Sequence, residues 1–136
     1  MTGPRDAVDA TVADRSVGTG LVAAADLGSN SFHLVVARQV GSSLVIVDRV
    51  KDMVRLAEGL RQDGGLKAPV RKRALACLER FGQRLRGMSG HAVRIVGTNT
   101  LRQLPDDAFL GEAEAALGHP IDIVSGVEEA RLVYLG

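Results

Sequence analysis

The chain has 136 residues, 46% of them apolar, which is enough for one domain with a buried core. Its formal net charge of +1 gives no global field toward nucleic acid or a membrane surface, so any anion preference must be local. The single cysteine, Cys77, excludes an intrachain disulfide and a cysteine metal pair, and no apolar run approaches the ~20 residues that span a bilayer. Residues 1–19 mix small residues with Arg5, Asp6, Asp9, Asp14 and Arg15, have no apolar segment of signal-peptide type, and read as a mobile tail. A cytoplasmic protein without membrane insertion is the default expectation.

The apolar run 21–25 reads as a buried strand, and the run from Phe32 to about Gln39, rich in aromatic and β-branched residues, as a second. Between them lies Asp26-Leu27-Gly28-Ser29-Asn30-Ser31. Gly28 allows a positive φ, and the loop can aim consecutive backbone N–H groups at one point, as an anion nest does. Asx and Ser residues also simply suit a tight turn. Gly41-Ser42-Ser43 turns the chain into a third strand, 44–49, completing an antiparallel meander. Residues 51–60 fit either a continuing strand or a short helical turn.

After the break at Asp63-Gly64-Gly65, Pro69 suits a first helical turn. Val70, Ala74, Leu78, Phe81, Leu85 and Met88 then form one apolar stripe, with Cys77 as a reduced packing residue. Arg71, Lys72, Arg73, Arg80, Arg84 and Arg86 lie between them. Without interleaved aromatics to stack bases, this run reads as a solvated face and not as a nucleic-acid site. A fourth strand (92–96), a helix from about Asp106 to Leu117, a fifth strand (121–124) and a last helix (127–135) follow. The order βββαβαβα predicts an α/β domain: a mixed five-stranded sheet with helices on its faces.

In such sheets functional groups collect at the carboxyl ends of strands. Three segments qualify: 26–31, 97–102 and 125–129. A carboxylate at Asp26, after a wholly apolar strand, calls for pairing, hydration or a hard cation such as Mg²⁺; the alternative is an Asp that caps its own loop. Arg102 could grip a phosphate with its guanidinium fork or pair with Asp106 or Asp107. Arg55 is a weaker candidate of the same kind, and Thr98 stands beside the same strand end. The adjacent acids separate by helical position. With Ser125 as N-cap, Glu128 completes a capping box, whereas Glu129 has no structural task and borders Leu132 and Val133. Partial burial there would suit Glu129 to general-base work on a water. The loop leads into a strand, so it is not a P-loop. His33, His91 and His119 have no zinc spacing, and Gly-x-Ser-x-Gly is absent.

Four motifs, in order, carry a resemblance: Ala25-Asp26-Leu27-Gly28-Ser29-Asn30-Ser31-Phe32-His33, Val54-Arg55-Leu56-Ala57-Glu58-Gly59-Leu60, Gly97-Thr98-Asn99-Thr100-Leu101-Arg102-Gln103, and Ser125-Gly126-Val127-Glu128-Glu129-Ala130-Arg131-Leu132. Over residues 20–136 the chain resembles the N-terminal part of the exopolyphosphatase / guanosine pentaphosphate phosphatase (Ppx/GppA) family. The resemblance implies an actin-like, ribonuclease-H-like phosphate-binding domain, the first of a duplicated pair, in a cytoplasmic enzyme that is a homodimer at full length. It implies Mg²⁺-assisted hydrolytic release of terminal phosphate from inorganic polyphosphate, or from pppGpp of the stringent response. It puts the first phosphate loop on Asp26, Gly28, Ser29, Asn30 and Ser31, with Asp26 toward the metal. Phosphate contacts fall on Asn30 and Arg102, the catalytic glutamate on Glu129, and Arg55, Thr98 and Glu128 are secondary candidates. Family members carry a second loop of the Asp-Ile-Gly-Gly-Gly-Ser type, absent here, so this chain is expected to be the first half of a two-domain unit and inactive alone. The other readings are a non-catalytic polyphosphate-binding half-domain and an ATP-using kinase of the same superfold.

Overall fold

Strand β1 (Leu21–Leu27) lies at the centre of a five-stranded sheet of order β3-β2-β1-β4-β5. β2 (Phe32–Val40) and β3 (Ser43–Asp52) extend it antiparallel on one side; β4 (Val93–Gly97) and β5 (Asp122–Ile123) extend it parallel on the other. This computed structural model describes residues 20–102, 104 and 108–124, with the backbone alone at Asn99 and Arg102. The expected tail at 1–19, the cap at 106–107 and the last helix with Ser125, Glu128 and Glu129 lie outside the described residues.

The parallel pairs are joined by helical crossovers. α1 (Ala68–Leu85) carries the chain from β3 to β4, and α3 (Ala108–Leu117) carries it from β4 to β5. Both step the same way along the sheet, so their common handedness puts them on one face, where they pack on each other. Period-two alternation supplies the sheet's half of the core. Ala23, Ala25 and Leu27 of β1, and Phe32, Leu34 and Val36 of β2, are buried toward the helices. The helical half comes from Val70, Ala74, Cys77, Leu78, Phe81 and Leu85, with Phe109, Ala113 and Leu117 of α3. Met88 lies past the helix end and only partly buried. This is the mixed five-stranded α/β architecture that the element order implies.

Four arginines of the basic run are engaged locally. Arg80 pairs with Asp52 and Arg84 with Asp48, both on β3; Arg71 pairs with Glu112 of α3 and stands over the Phe109 ring at 5.7 Å. Arg73 donates from Nε to the Val54 carbonyl at 2.9 Å. These arginines thus tie the helix to its neighbours and do not form an open anion-binding stripe.

Some boundaries at the site edge differ from the expected ones. β1 does not end at Ala25: Asp26 and Leu27 continue it, opposite His33 and Phe32 on one side and Val96 and Gly97 on the other. Pairing on both sides satisfies the backbone there, which outweighs the poor strand propensity of aspartate. The 51–60 stretch takes both readings in turn, as β3 runs through Asp52 and a 3-10 turn occupies Leu56–Gly59. The segment after β4 is not all loop, because Asn99–Arg102 form a single helical turn, α2. Four residues carry no detectable periodicity.

Cys77 is fully buried, and that burial, reinforced by the nearby Asp52 carboxylate, pushes its thiol up to about 12. The folded-state value lies above the reference value of 9.0, so the stabilisation is complete below pH 9 and is lost as pH rises toward 12. Cys77→Ala lacks this dependence. Denaturant melts of both proteins should therefore converge by about 1.4 kcal/mol per pH unit above pH 9. A constant gap across that range would contradict the burial of the thiol.

Candidate functional site

The carboxyl ends of β1, β3, β4 and β5 share one edge of the sheet, and the segments leaving β1, β3 and β4 meet there. Gly28 opens the loop after β1, its N–H donating to the Ser31 carbonyl at 3.0 Å. A Cβ on residue 28 would stand 3.1 Å from that carbonyl oxygen, so a side chain would strain the turn. Gly28 does not use the positive φ that its type allows; among the non-glycine described residues that conformation belongs to Arg55, at φ 57°.

Arg55 is the pivot of the segment that braces the loop. Val54 and Leu56 on either side are fully buried, which fixes the backbone between them. The Arg55 N–H donates to the Asn30 carbonyl at 2.7 Å, and the Ala57 N–H to the Ser29 carbonyl at 2.9 Å. In a planar trans peptide the following N–H points opposite to the carbonyl. The N–H groups of Asn30 and Ser31 are therefore directed away from the brace, side by side. Left-handed backbone at a non-glycine residue costs on the order of 1–3 kcal/mol and persists only where the surroundings impose it. Here the two loop-holding hydrogen bonds and the flanking core residues do so.

The second segment is locked to the first. Thr98 donates from its backbone N–H and its Oγ1 to the Leu27 carbonyl, at 3.2 and 3.3 Å. Ser29 Oγ and Thr100 Oγ1 are hydrogen-bonded at 2.5 Å, and both threonines are buried. Gly97 makes the junction possible. A Cβ there would meet Leu101 Cδ1 at 2.5 Å and Ile121 and Ile123 at 3.1 Å, so only glycine lets α2 fold back against β5. Its carbonyl accepts the Val124 N–H at 3.0 Å, so the third segment leaves from the same edge.

Asp26 stands on the sheet face away from the helices. Its Oδ1 is buried and has no hydrogen-bond partner among the described residues. A buried carboxylate oxygen with no partner among the described residues suits a hard cation. Among the described residues no three His, Cys, Asp or Glu side chains converge, so protein ligands alone would not cage a metal. Mg²⁺, which keeps most of its waters and takes substrate oxygens, fits such a single-carboxylate position.

Of the expected site residues, Asp26, Gly28, Ser29, Asn30, Ser31, Arg55 and Thr98 are thus brought to one edge. The Arg102 backbone closes α2 there; Glu128 and Glu129 lie outside the described residues. Two contacts escaped the sequence reading. Thr100 anchors Ser29, and His33, opposite Asp26, is hydrogen-bonded through Nε2 to Ser31 Oγ at 3.0 Å. The alternation Thr98-x-Thr100 after an apolar strand was the available signal for the first; the strand-pair register was needed for the second.

This strand order, with its braced hairpin loop at the shared carboxyl edge, defines a mixed five-stranded α/β domain. The chain belongs to the Ppx/GppA phosphatase family, whose family model matches residues 35–136. Its structure is similar to a Ppx/GppA family member from Aquifex aeolicus, with TM-score 0.74 and 22% identity over 85% of this chain and 38% of that one. It is similar too to an exopolyphosphatase from Cytophaga hutchinsonii, with TM-score 0.73 and 23% identity over 82% of this chain and 36% of that one. An exopolyphosphatase-like protein matches with TM-score 0.70 and 26% identity over 81% of this chain and 34% of that one. The chain therefore spans 34–38% of the length of these structures.

Proposed function

We propose that this chain is the phosphate-loop half of a phosphoanhydride hydrolase that releases terminal orthophosphate from inorganic polyphosphate or pppGpp. The observation that carries the reading is the braced loop. With the Ser29 and Asn30 carbonyls held by Ala57 and Arg55, the N–H groups of Asn30 and Ser31 face the other way, where a terminal phosphate can accept from both. Gly28 keeps the turn tight, and the Ser29 and Ser31 hydroxyls, oriented by Thr100 and His33, add donors. Arg102, leaving α2 at the same edge, is assigned to the phosphate as a bidentate partner, and Arg55 to more distant phosphate charge. Membership of a phosphatase family supports a hydrolytic use of such a loop over a kinase reading.

In the reaction, a water oxygen forms a bond to the terminal phosphorus as the bridging P–O bond breaks, and the leaving phosphate chain takes the electron pair. Glu129 accepts the proton that the water loses. Asp26 would hold Mg²⁺, whose chemistry there would be charge neutralisation on the phosphate oxygens. Glu128 is left to the capping role that its spacing from Ser125 predicts.

A second reading has an observation of its own. Because the chain spans little more than a third of its structural relatives, these residues alone could bind polyphosphate without turning it over. A phosphate-release assay with polyphosphate, pppGpp and Mg²⁺ separates the two. The full-length protein is expected to release orthophosphate in a Mg²⁺-dependent manner and the 136 residues to release none. A full-length protein inert toward both substrates would overturn the hydrolase reading.

A further inference from the structure

The Val54–Arg55 peptide is held at both of its ends. Its carbonyl accepts from Nε of Arg73, on α1, at 2.9 Å, and its N–H donates to the Asn30 carbonyl at 2.7 Å. The carbonyl and N–H of a trans peptide point in opposite directions, so Arg73 and Asn30 stand on opposite sides of it. The Asn30 carbonyl belongs in turn to the Asn30–Ser31 peptide, whose N–H points onward to the phosphate edge. Two peptide dipoles are thus stacked head to tail, with a guanidinium at one end and the Ser31 N–H at the other. A neighbouring line runs from the Ala57 N–H through the Ser29 carbonyl to the Asn30 N–H. Among the described residues no cation is bonded behind it at the Leu56 carbonyl.

We propose that Arg73 is a positioning residue for the phosphate loop: through these two peptides it aims and polarises the Ser31 N–H toward a terminal phosphate. The proposal rests on the phosphate-loop reading and adds to it a residue outside the loop. Hydrogen bonds in series strengthen one another, and a cation bonded to a carbonyl oxygen makes the N–H of that peptide a stronger donor. The Arg55–Asn30 bond, at 2.7 Å, is accordingly shorter than the Ala57–Ser29 bond, at 2.9 Å. Arg73 also serves the geometry. Arg55 keeps a left-handed backbone, φ 57°, which persists only while its surroundings hold it. Val54 is fully buried, so without Arg73 its carbonyl must turn to find another partner, and the Arg55 N–H turns with it. Arg80 and Arg84 of the same helix bind Asp52 and Asp48 instead, and so secure the helix to β3 without bonding the brace.

Calorimetric titration of the protein with tripolyphosphate and Mg²⁺, beside the amide proton shifts of the unliganded protein, tests this role. Arg73→Gln should weaken binding by roughly tenfold, the scale of one charge-assisted hydrogen bond. It should also move the Ser31 amide proton upfield by more than that of Asn30, whose line has no guanidinium behind it. Arg73→Lys keeps the charge without the planar fork and should fall between Arg73→Gln and wild type. Should Arg73→Gln unfold the protein, Arg73→Lys against wild type provides the same comparison. Arg80→Gln removes a helix-to-strand tie of the same kind, and should leave the affinity and both shifts unchanged. Equal affinity in wild type and the Arg73 variants would overturn the proposal. So would an equal loss in Arg80→Gln, which would reduce Arg73 to a helix fastener. A wild-type protein that takes up no tripolyphosphate would instead remove the phosphate-loop reading, and this proposal with it.

Discussion

Glu129→Gln in the full-length protein is expected to lower turnover of polyphosphate by at least ~10², with binding of the substrate close to wild type. The reasoning starts from what the phosphate edge already holds. On the proposed reading the loop amides, the Ser29–Thr100 hydroxyl pair and Arg102 are the groups that address the substrate's charge, and none of these can take a proton from water. With Asp26 assigned to the metal and His33 bonded to Ser31, the base is assigned to the third segment, which follows Val124 at the same edge. Of its two acids, the spacing from Ser125 predicts a capping role for Glu128 and leaves Glu129 without a structural task. Glutamine keeps the shape and removes the proton acceptor, so kcat should fall and KM should not rise. Turnover within a few-fold of wild type would remove Glu129 from the mechanism. A matched loss in Glu128→Gln would show that the two acids had been assigned the wrong way round.

Asp26→Asn carries the second large effect, on metal dependence. Orthophosphate release should fall by roughly 10², the scale seen when one group that stabilises reacting charge is removed, and higher Mg²⁺ should restore little of it. Folding stability should remain within ~1 kcal/mol of wild type, because the Asp26 Oδ1 has no partner to lose among the described residues and its charge is costly to bury. This pairing of outcomes is diagnostic. Were Asp26 a structural cap of its own loop, activity and thermal stability would decline together.

The architecture was largely legible because the elements that define it are long and periodic. The stripe from Val70 to Leu85 gave α1, and the alternation of Phe32, Leu34 and Val36 gave the inward face of β2. What escaped depends on pairs distant in sequence. The extension of β1 through Asp26 follows from pairing with both His33 and Val96. The bracing of the loop follows from Arg55 and Ala57, and the left-handed Arg55 backbone has no signature in residue type, since a glycine would be expected there. The role of the α1 arginines was half legible. Their number suggested a charged face, but their partners Asp48 and Asp52 became visible only once β3 lay beside the helix. The site was legible as three strand ends before any resemblance was considered, and the structure brings the first two into hydrogen-bonding contact.

The central claim is that the loop between β1 and β2, joined to the segment after β4, holds phosphate. Backbone amide resonances of the 136-residue chain, followed by NMR while tripolyphosphate and Mg²⁺ are added, test it most directly. Saturable shifts centred on Gly28, Ser29, Asn30, Ser31, Thr98 and Thr100 are the predicted result. Shifts confined to the arginine-bearing face of α1, or an unperturbed loop at saturating ligand, would contradict it.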